Sequence, residues 1–252
     1  MSDSPLFSII TITFNAESVI EPTMQSVKEQ SFSDCEHLII DGASRDSTIS
    51  VARRSGRDDT RIISEPDNGL YDAMNKGLKA AKGKYVLFLN AGDTFHDRNT
   101  LALYASGAKN DADIIYGDTV LVNADREVVG KRHLSAPDVL THESFAQGML
   151  ICHQAFMVKR EIAPQYDTHY RFSADYDWTI RCISLSRPER RVNLHAVVAD
   201  YLTDGLTDKN MWKSLRERFD VMRRHYGLVP TMLRHVGFAM RFMKRGGNNN
   251  KK

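Results

Sequence analysis

The chain has 252 residues, 42% of them hydrophobic and 26% charged, with a formal net charge of +2. That balance is the one ordinary globular proteins carry, and it excludes the disordered and fibrous classes. No run of eighteen apolar residues occurs, so no membrane-spanning helix is expected. The net charge conceals an uneven distribution. Residues 211–252 hold eleven Lys/Arg against Glu217 and Asp220, a net +9, which leaves −7 on residues 1–210. The three cysteines, Cys35, Cys152 and Cys182, are odd in number and form no C-x-x-C pair, a pattern expected of free thiols in a reducing compartment. No basic segment precedes the first apolar run, so that run reads as a strand rather than a signal peptide, and the chain is expected to stay in the cytoplasm.

Residues 7–13 (FSIITIT) form a short β-branched run, the pattern of a strand covered on both faces. A helix follows, entered near Pro22, a residue suited to a first helical turn. Residues 37–40 predict a second strand, 46–54 a helix and 61–64 a third, weaker strand. The spacing of Leu70, Met74, Leu78 and Ala81 predicts a helix over 70–82, stopped by Gly83. Residues 85–89 (YVLFL) predict a fourth strand. Strands are further expected at 114–116, 120–122 with 128–131 as a hairpin, 155–158 and 192–198, and helices at 173–183 and 208–225. Alternation of strand and helix through the first hundred residues implies an α/β fold, a mostly parallel sheet flanked by helices.

Ligands of such sheets sit beyond the carboxyl ends of the strands. Four polar loops collect there: Thr13-Phe14-Asn15, Asp41-Gly42-Ala43-Ser44, Glu65-Pro66-Asp67-Asn68-Gly69 and Asn90-Ala91-Gly92-Asp93. Each alone suits a turn; four in succession on one rim point to a ligand site.

The order of these strings resembles the family 2 glycosyltransferases of the GT-A fold. The resemblance rests on S-I-I-T-I-T-F-N at 8–15, D-G-A-S-R-D-S-T at 41–48, E-P-D-N-G-L-Y-D-A-M-N-K-G at 65–77 and G-K-Y-V-L-F-L-N-A-G-D at 83–93. C-H-Q-A at 152–155 and S-A-D-Y-D-W at 173–178 continue it. The third string is most similar to colanic-acid and exopolysaccharide-type bacterial enzymes. The resemblance implies a catalytic domain over 1–210, with a nucleotide-sugar half at 1–118 and an acceptor half at 119–210. Basic amphipathic helices at 211–245 and a disordered tail at 246–252 would follow.

It also implies a nucleotide-diphosphate sugar donor contacted by Thr13, Phe14, Asn15, Asp41, Asp67, Asn68 and Asn90. Phe14 offers a flat contact for a base, or is a core aromatic. Asp41 offers an acceptor for a ring N–H, or closes an Asx-turn. Ser44 and Asp46 suit turn and helix-cap roles. The family binds Mg²⁺ or Mn²⁺ through a D-x-D motif. Here the segment reads Asn90-Ala91-Gly92-Asp93, which leaves Asp93 as its only carboxylate, with His153 as a further metal ligand, a phosphate donor or a structural residue. Inverting transfer needs a base for the acceptor hydroxyl. The family's E-D motif becomes Ala174-Asp175, which assigns Asp175. Asp177 competes with it, or pairs with Arg181 one helical turn on. Asp72 is read as structural or sugar-facing, and Trp178 as packing beneath the site or, less readily, stacking on the sugar.

In the tail, Leu228, Val229, Met232, Leu233, Val236, Ala239, Met240 and Met243 share one helical face, and Arg234, Arg241, Lys244 and Arg245 the other. That pattern suits an anionic membrane surface, or packing on the catalytic domain. The expected partners are the donor, a saccharide or lipid-diphosphate-linked saccharide acceptor, and the inner face of the cytoplasmic membrane. The acidic body argues against nucleic acid. Two other functions remain readable: a non-catalytic nucleotide-sugar-binding module, given the altered motifs, and a dinucleotide-dependent enzyme, disfavoured because no G-x-G-x-x-G follows the first strand.

Overall fold

A computed structural model describes residues 4–203 and 211–235. The expected strings at 204–210 and 236–252, including the distal half of the amphipathic tail, lie outside the described residues.

Nine strands form one sheet in the order β3-β2-β1-β4-β8-β6-β9-β5, with β7 paired to β6. β1 (Phe7–Thr13) is buried along its whole length, as its β-branched run requires. It lies between β2 (Cys35–Asp41) and β4 (Tyr85–Phe88), parallel to both, and β3 (Arg61–Ser64) extends the parallel half beyond β2. The registers Thr13↔Asp41 and Asp41↔Ser64 bring the carboxyl ends of β1, β2 and β3 level, which sets their polar loops side by side.

The other half is mixed. β6 (Ile114–Val122) and β8 (Phe156–Lys159) are antiparallel neighbours, β8 runs antiparallel to β4, and β9 (Arg191–Leu202) is parallel to β6. β5 (Thr94–Phe95) caps β9. The expected hairpin is present, with β7 (Val128–Lys131) folded back on the end of β6.

The helices are α1 (Ile20–Lys28), α2 (Thr48–Ser55), α3 (Leu70–Ala80), α4 (Thr100–Ala108), α5 (Ala174–Leu185) and α6 (Met211–Tyr226). Pro22 is third in α1, within the turn whose N–H groups need no helical partner. In α3 the buried face is rotated from the expected one. Tyr71, Ala73, Met74 and Gly77 point inward, while Leu70 and Leu78 sit at its margin. Trp178 is fully buried, stacked on Tyr166 at 4.8 Å. All three cysteines are free and buried.

α6 is fastened to α5 by one buried carboxylate. Asp177, with no exposure, accepts from Arg181 Nε at 2.7 Å and lies 2.7 Å from His225 Nε2. Glu217 of α6 accepts the backbone N–H groups of Arg171 and Phe172 just before α5. A helical stretch at 228–235 follows α6. There Thr231 is buried, while Leu228, Val229, Met232 and Leu233 face solvent. The described half of the amphipathic face is therefore not packed on the catalytic domain. No helix among the described residues is long and apolar enough to cross a membrane.

Candidate active site

The rim loops are tied together by their own side chains. Asn15 takes a left-handed backbone (φ 47°), gives its N–H to Ser44 Oγ and accepts from Arg45 N, which joins the loops after β1 and β2. Asp41 is fully buried. Ser44 donates to it from both N–H and Oγ, and Ser64 Oγ donates at 2.6 Å. It closes the Asx-turn, and both its oxygens accept hydrogen bonds inside the fold. Thr13 is buried too, with Oγ1 unpartnered.

Phe14, by contrast, is 62% exposed and is no core residue. Its ring stands beside Gly42, whose other neighbour is the Asp67 carboxylate. A Cβ at Gly42 would lie 2.6 Å from Asp67 Oδ2 and 3.2 Å from the ring. A side chain at Gly42 would have to push the Asp67 carboxylate aside, so the glycine lets ring and carboxylate stand close together. Asp67 Oδ1 accepts from Gly69 N at 2.8 Å, and Oδ2 is the acceptor left beside the ring. Asn68 N–H goes to Asp72 Oδ2, so Asp72 braces the entry to α3.

The second group of residues converges from four separate segments. Asp175, in the first turn of α5, has a side chain one quarter exposed. Its Oδ1 accepts from Tyr71 OH at 3.1 Å and from Tyr176 N at 2.9 Å, and its Oδ2 lies 3.5 Å from His153 Nδ1. His153 Nε2 in turn lies 3.1 Å from Asn90 Nδ2. An amide donor facing Nε2 suits the tautomer that carries its proton on Nδ1, towards the carboxylate. Burial acts to raise the Asp175 pKa, but the His153 contact, the Arg218 charge and the Tyr71 hydroxyl outweigh it and hold the group below the usual carboxylate range. The result is an ionised carboxylate, fixed in direction and open to a ligand. Asn90 Oδ1 is buried with no partner among the described residues. Asp177 is withdrawn as the competing base by its burial between Arg181 and His225. Tyr71 was absent from the sequence assignment; it read only as one more residue of the α3 helix.

Comparison with known proteins places this geometry. The model named Glycosyl transferase family 2 matches residues 8–167. A PGL/p-HBAD biosynthesis glycosyltransferase of Mycobacterium bovis BCG is 34% identical over 226 residues, 84% of each chain. The chain belongs to glycosyl transferase family 2. This family 2 glycosyltransferase acts on nucleotide sugars, and the non-catalytic and dinucleotide-dependent alternatives fall away.

Its GT-A fold is shared by solved structures at 16% identity. A fragment of S. aureus TarS in complex with UDP has a TM-score of 0.68; the match covers 87% of this chain and 64% of that one. The mannosyltransferase PcManGT of Pyrobaculum calidifontis, in complex with GDP-Man and Mn²⁺, has a TM-score of 0.63 and coverages of 98% and 81%.

The donor set at the β4 rim of this glycosyltransferase does not fit such a cation. Mg²⁺ and Mn²⁺ ask for accessible, hard oxygen ligands, carboxylates above all. Asp93 is 5% exposed; Gln154 Nε2 donates to one of its oxygens at 2.6 Å and Leu202 N to the other at 3.0 Å. His153 faces Asn90 Nδ2 at 3.1 Å through Nε2 and Asp175 at 3.5 Å through Nδ1. Gly92 has φ 103°, and a Cβ there would meet Leu202 Cδ2 at 3.1 Å, so an acid in its place would be strained. Among the described residues no group of three His, Cys, Asp or Glu side chains is arranged to hold a metal. In these contacts neither Asp93 nor His153 presents a free donor to a cation.

Proposed function

We propose that this glycosyltransferase moves a sugar, with inversion, from a nucleotide-diphosphate sugar to a hydroxyl of a saccharide or lipid-linked saccharide acceptor, with Asp175 as the base. The observation that carries the reading is the partly exposed Asp175 carboxylate, directed by Tyr71 and His153 and linked through Asn90 to the β4 rim. The acceptor oxygen attacks the anomeric carbon and yields its proton to Asp175, and the bond from that carbon to the diphosphate breaks with its electron pair on the departing oxygen. Phe14 and Asp67, either side of Gly42, suit the face and the N–H of a nucleobase.

The reading extends to the acceptor's setting. A lipid-borne acceptor lies at a membrane surface, and we place the enzyme on the inner face of the cytoplasmic membrane. Support comes from α6 and 228–235. Of the eleven exposed large hydrophobic residues described, six lie there: Trp212, Leu215, Leu228, Val229, Met232 and Leu233. They occur within the net +9 segment, the combination an anionic bilayer attracts.

A panel of uridine and guanosine diphosphate sugars tests the central claim, with turnover read as nucleoside diphosphate release in the presence of membrane extract. Asp175→Asn should lower kcat roughly 10²–10⁴-fold with donor affinity unchanged. Phe14→Ala should weaken donor binding. Full turnover by Asp175→Asn would remove this carboxylate from the chemistry.

A further inference from the structure

The altered motif at the β4 rim leaves a need unmet. A diphosphate gathers negative charge as the sugar leaves it, and a preorganised positive group aimed at that charge is what lowers the barrier. The contacts around Asp93 and Gly92 leave no carboxylate there to hold a metal. What stands at the turn instead is a guanidinium.

Arg126 lies in the connection between β6 and β7. Its backbone is left-handed (φ 66°), and its N–H bonds to Asn123 O at 3.0 Å. Asn123 and Glu127 brace the same turn, with Glu127 N donating to Asn123 Oδ1 at 2.9 Å and Asn123 Nδ2 to Glu127 Oε2 at 3.0 Å. From this braced tip the side chain reaches back across the sheet, and Nη1 donates to the Gly92 carbonyl at 2.7 Å. That carbonyl belongs to the turn Asn90-Ala91-Gly92-Asp93, closed by Asp93 N donating to Asn90 O at 3.0 Å. Arg126 is therefore coupled to the atoms of the proposed reaction by a short series of contacts: Gly92 to Asn90 through the turn, Asn90 to His153, His153 to Asp175.

Among the described residues its other donors make no hydrogen bond. A guanidinium carries five N–H groups, and the bond to Gly92 uses one. Asp93 and Asp200 are near enough for their charges to act on it, but it makes no ion pair among the described residues. The side chain is half-buried, where a charge is less screened than at the surface. A planar, permanently charged fork of donors matches two phosphate oxygens at once.

We propose that Arg126 takes the place of the divalent cation, and that its guanidinium holds and neutralises the departing nucleoside diphosphate. The inference rests on the nucleotide-sugar reading given above. In the transfer step Arg126 keeps all its protons and donates hydrogen bonds only. The proton released is the acceptor's, and it passes to Asp175.

The test uses the full chain and the donor found active in the panel, with turnover measured in excess EDTA and again with Mn²⁺. Wild-type turnover should survive EDTA and gain nothing from Mn²⁺. Arg126→Ala, checked for an unchanged melting temperature, should lower kcat in EDTA roughly 10²–10³-fold and weaken the binding of UDP or GDP measured calorimetrically. Arg126→Lys, which keeps the charge but loses the fork, should fall between the two. Should Arg126→Ala fold poorly, Arg126→Lys in EDTA decides alone, through its loss of diphosphate affinity. Turnover that stops in EDTA and returns with Mn²⁺ would overturn the proposal, as would an Arg126→Lys enzyme with wild-type kcat and diphosphate affinity. A panel in which no nucleotide sugar binds or turns over would instead defeat the donor reading, and this proposal with it.

Discussion

At Asp93 burial and hydrogen bonding pull in opposite directions. Burial dominates and pushes the pKa from the ordinary 3.8 up to about 6, against the donors Gln154 and Leu202 and the charges of His153 and Arg126. The folded chain therefore holds this proton more tightly than the unfolded chain does. The stability contributed is complete below about pH 4 and is lost as the pH rises through about 6. Asp93→Asn removes the dependence, and Gln154 can turn its unpartnered Oε1 towards the new amide. Relative to the variant, the wild type should lose roughly 3 kcal/mol between pH 4 and pH 7, at about 1.4 kcal/mol per unit. Urea melts of both proteins across that range check it; a difference that stays flat would show the carboxylate is ionised throughout. The same residue shows how much of a motif's setting comes from distant parts of the chain. Asp93 occupies a position where a sequence reader looks for a metal ligand. Its fate is decided by Gln154 and by the backbone of Leu202, more than a hundred residues away, and neither is adjacent in any local pattern.

Strands β1 and β2 meet around a second buried titratable group. His37 is fully buried, with Nε2 3.0 Å from Thr11 Oγ1 and Nδ1 without a partner among the described residues. Burial, aided by the Arg57 charge, drives its pKa from 6.5 to about 3. Here the sign reverses. The folded state holds the neutral ring, so the stability is complete above pH 6.5 and drains as the pH falls towards 3. By the same conversion the pair of strands should lose roughly 2–3 kcal/mol on going from pH 7 to pH 4.5. His37→Gln should be spared that loss, and equal acid sensitivity of the two proteins in urea melts would refute the assignment. Between pH 4 and 6 the two groups act against each other, so the whole-protein profile is flatter than either.

At this scale the sequence was most readable where the period was clean. β1, β3 and the β6–β7 hairpin fall where the β-branched runs placed them, and the four rim loops do share one edge. α4 was missed because Leu101, Leu103 and Tyr104 spread its apolar residues around the axis, leaving no single stripe to read. The α3 face was misjudged because Tyr71 outranked Leu70 for the interior once Asp175 offered its hydroxyl a partner. Arg126 gave no signal at all: an arginine in a turn is ordinary until the turn is seen to rest on Gly92.

For the whole molecule the uneven charge and the exposed apolar faces of α6 and 228–235 belong together. Lipid vesicles test the union. Binding should require anionic lipid, weaken with salt, and fall on Leu228→Ser with Leu233→Ser, each Lys or Arg near the surface being worth about 1 kcal/mol. Failure to sediment with anionic vesicles at low ionic strength would sink the membrane setting while leaving the chemistry at Asp175 untouched.

The grip of His225 and Arg181 on Asp177 gives this surface a mechanical meaning. Asp177 lies two residues from Asp175 on the same helix, and the segment that would rest on lipid is latched to it from behind. The proposed base and the segment proposed to rest on lipid are thus joined through one buried carboxylate.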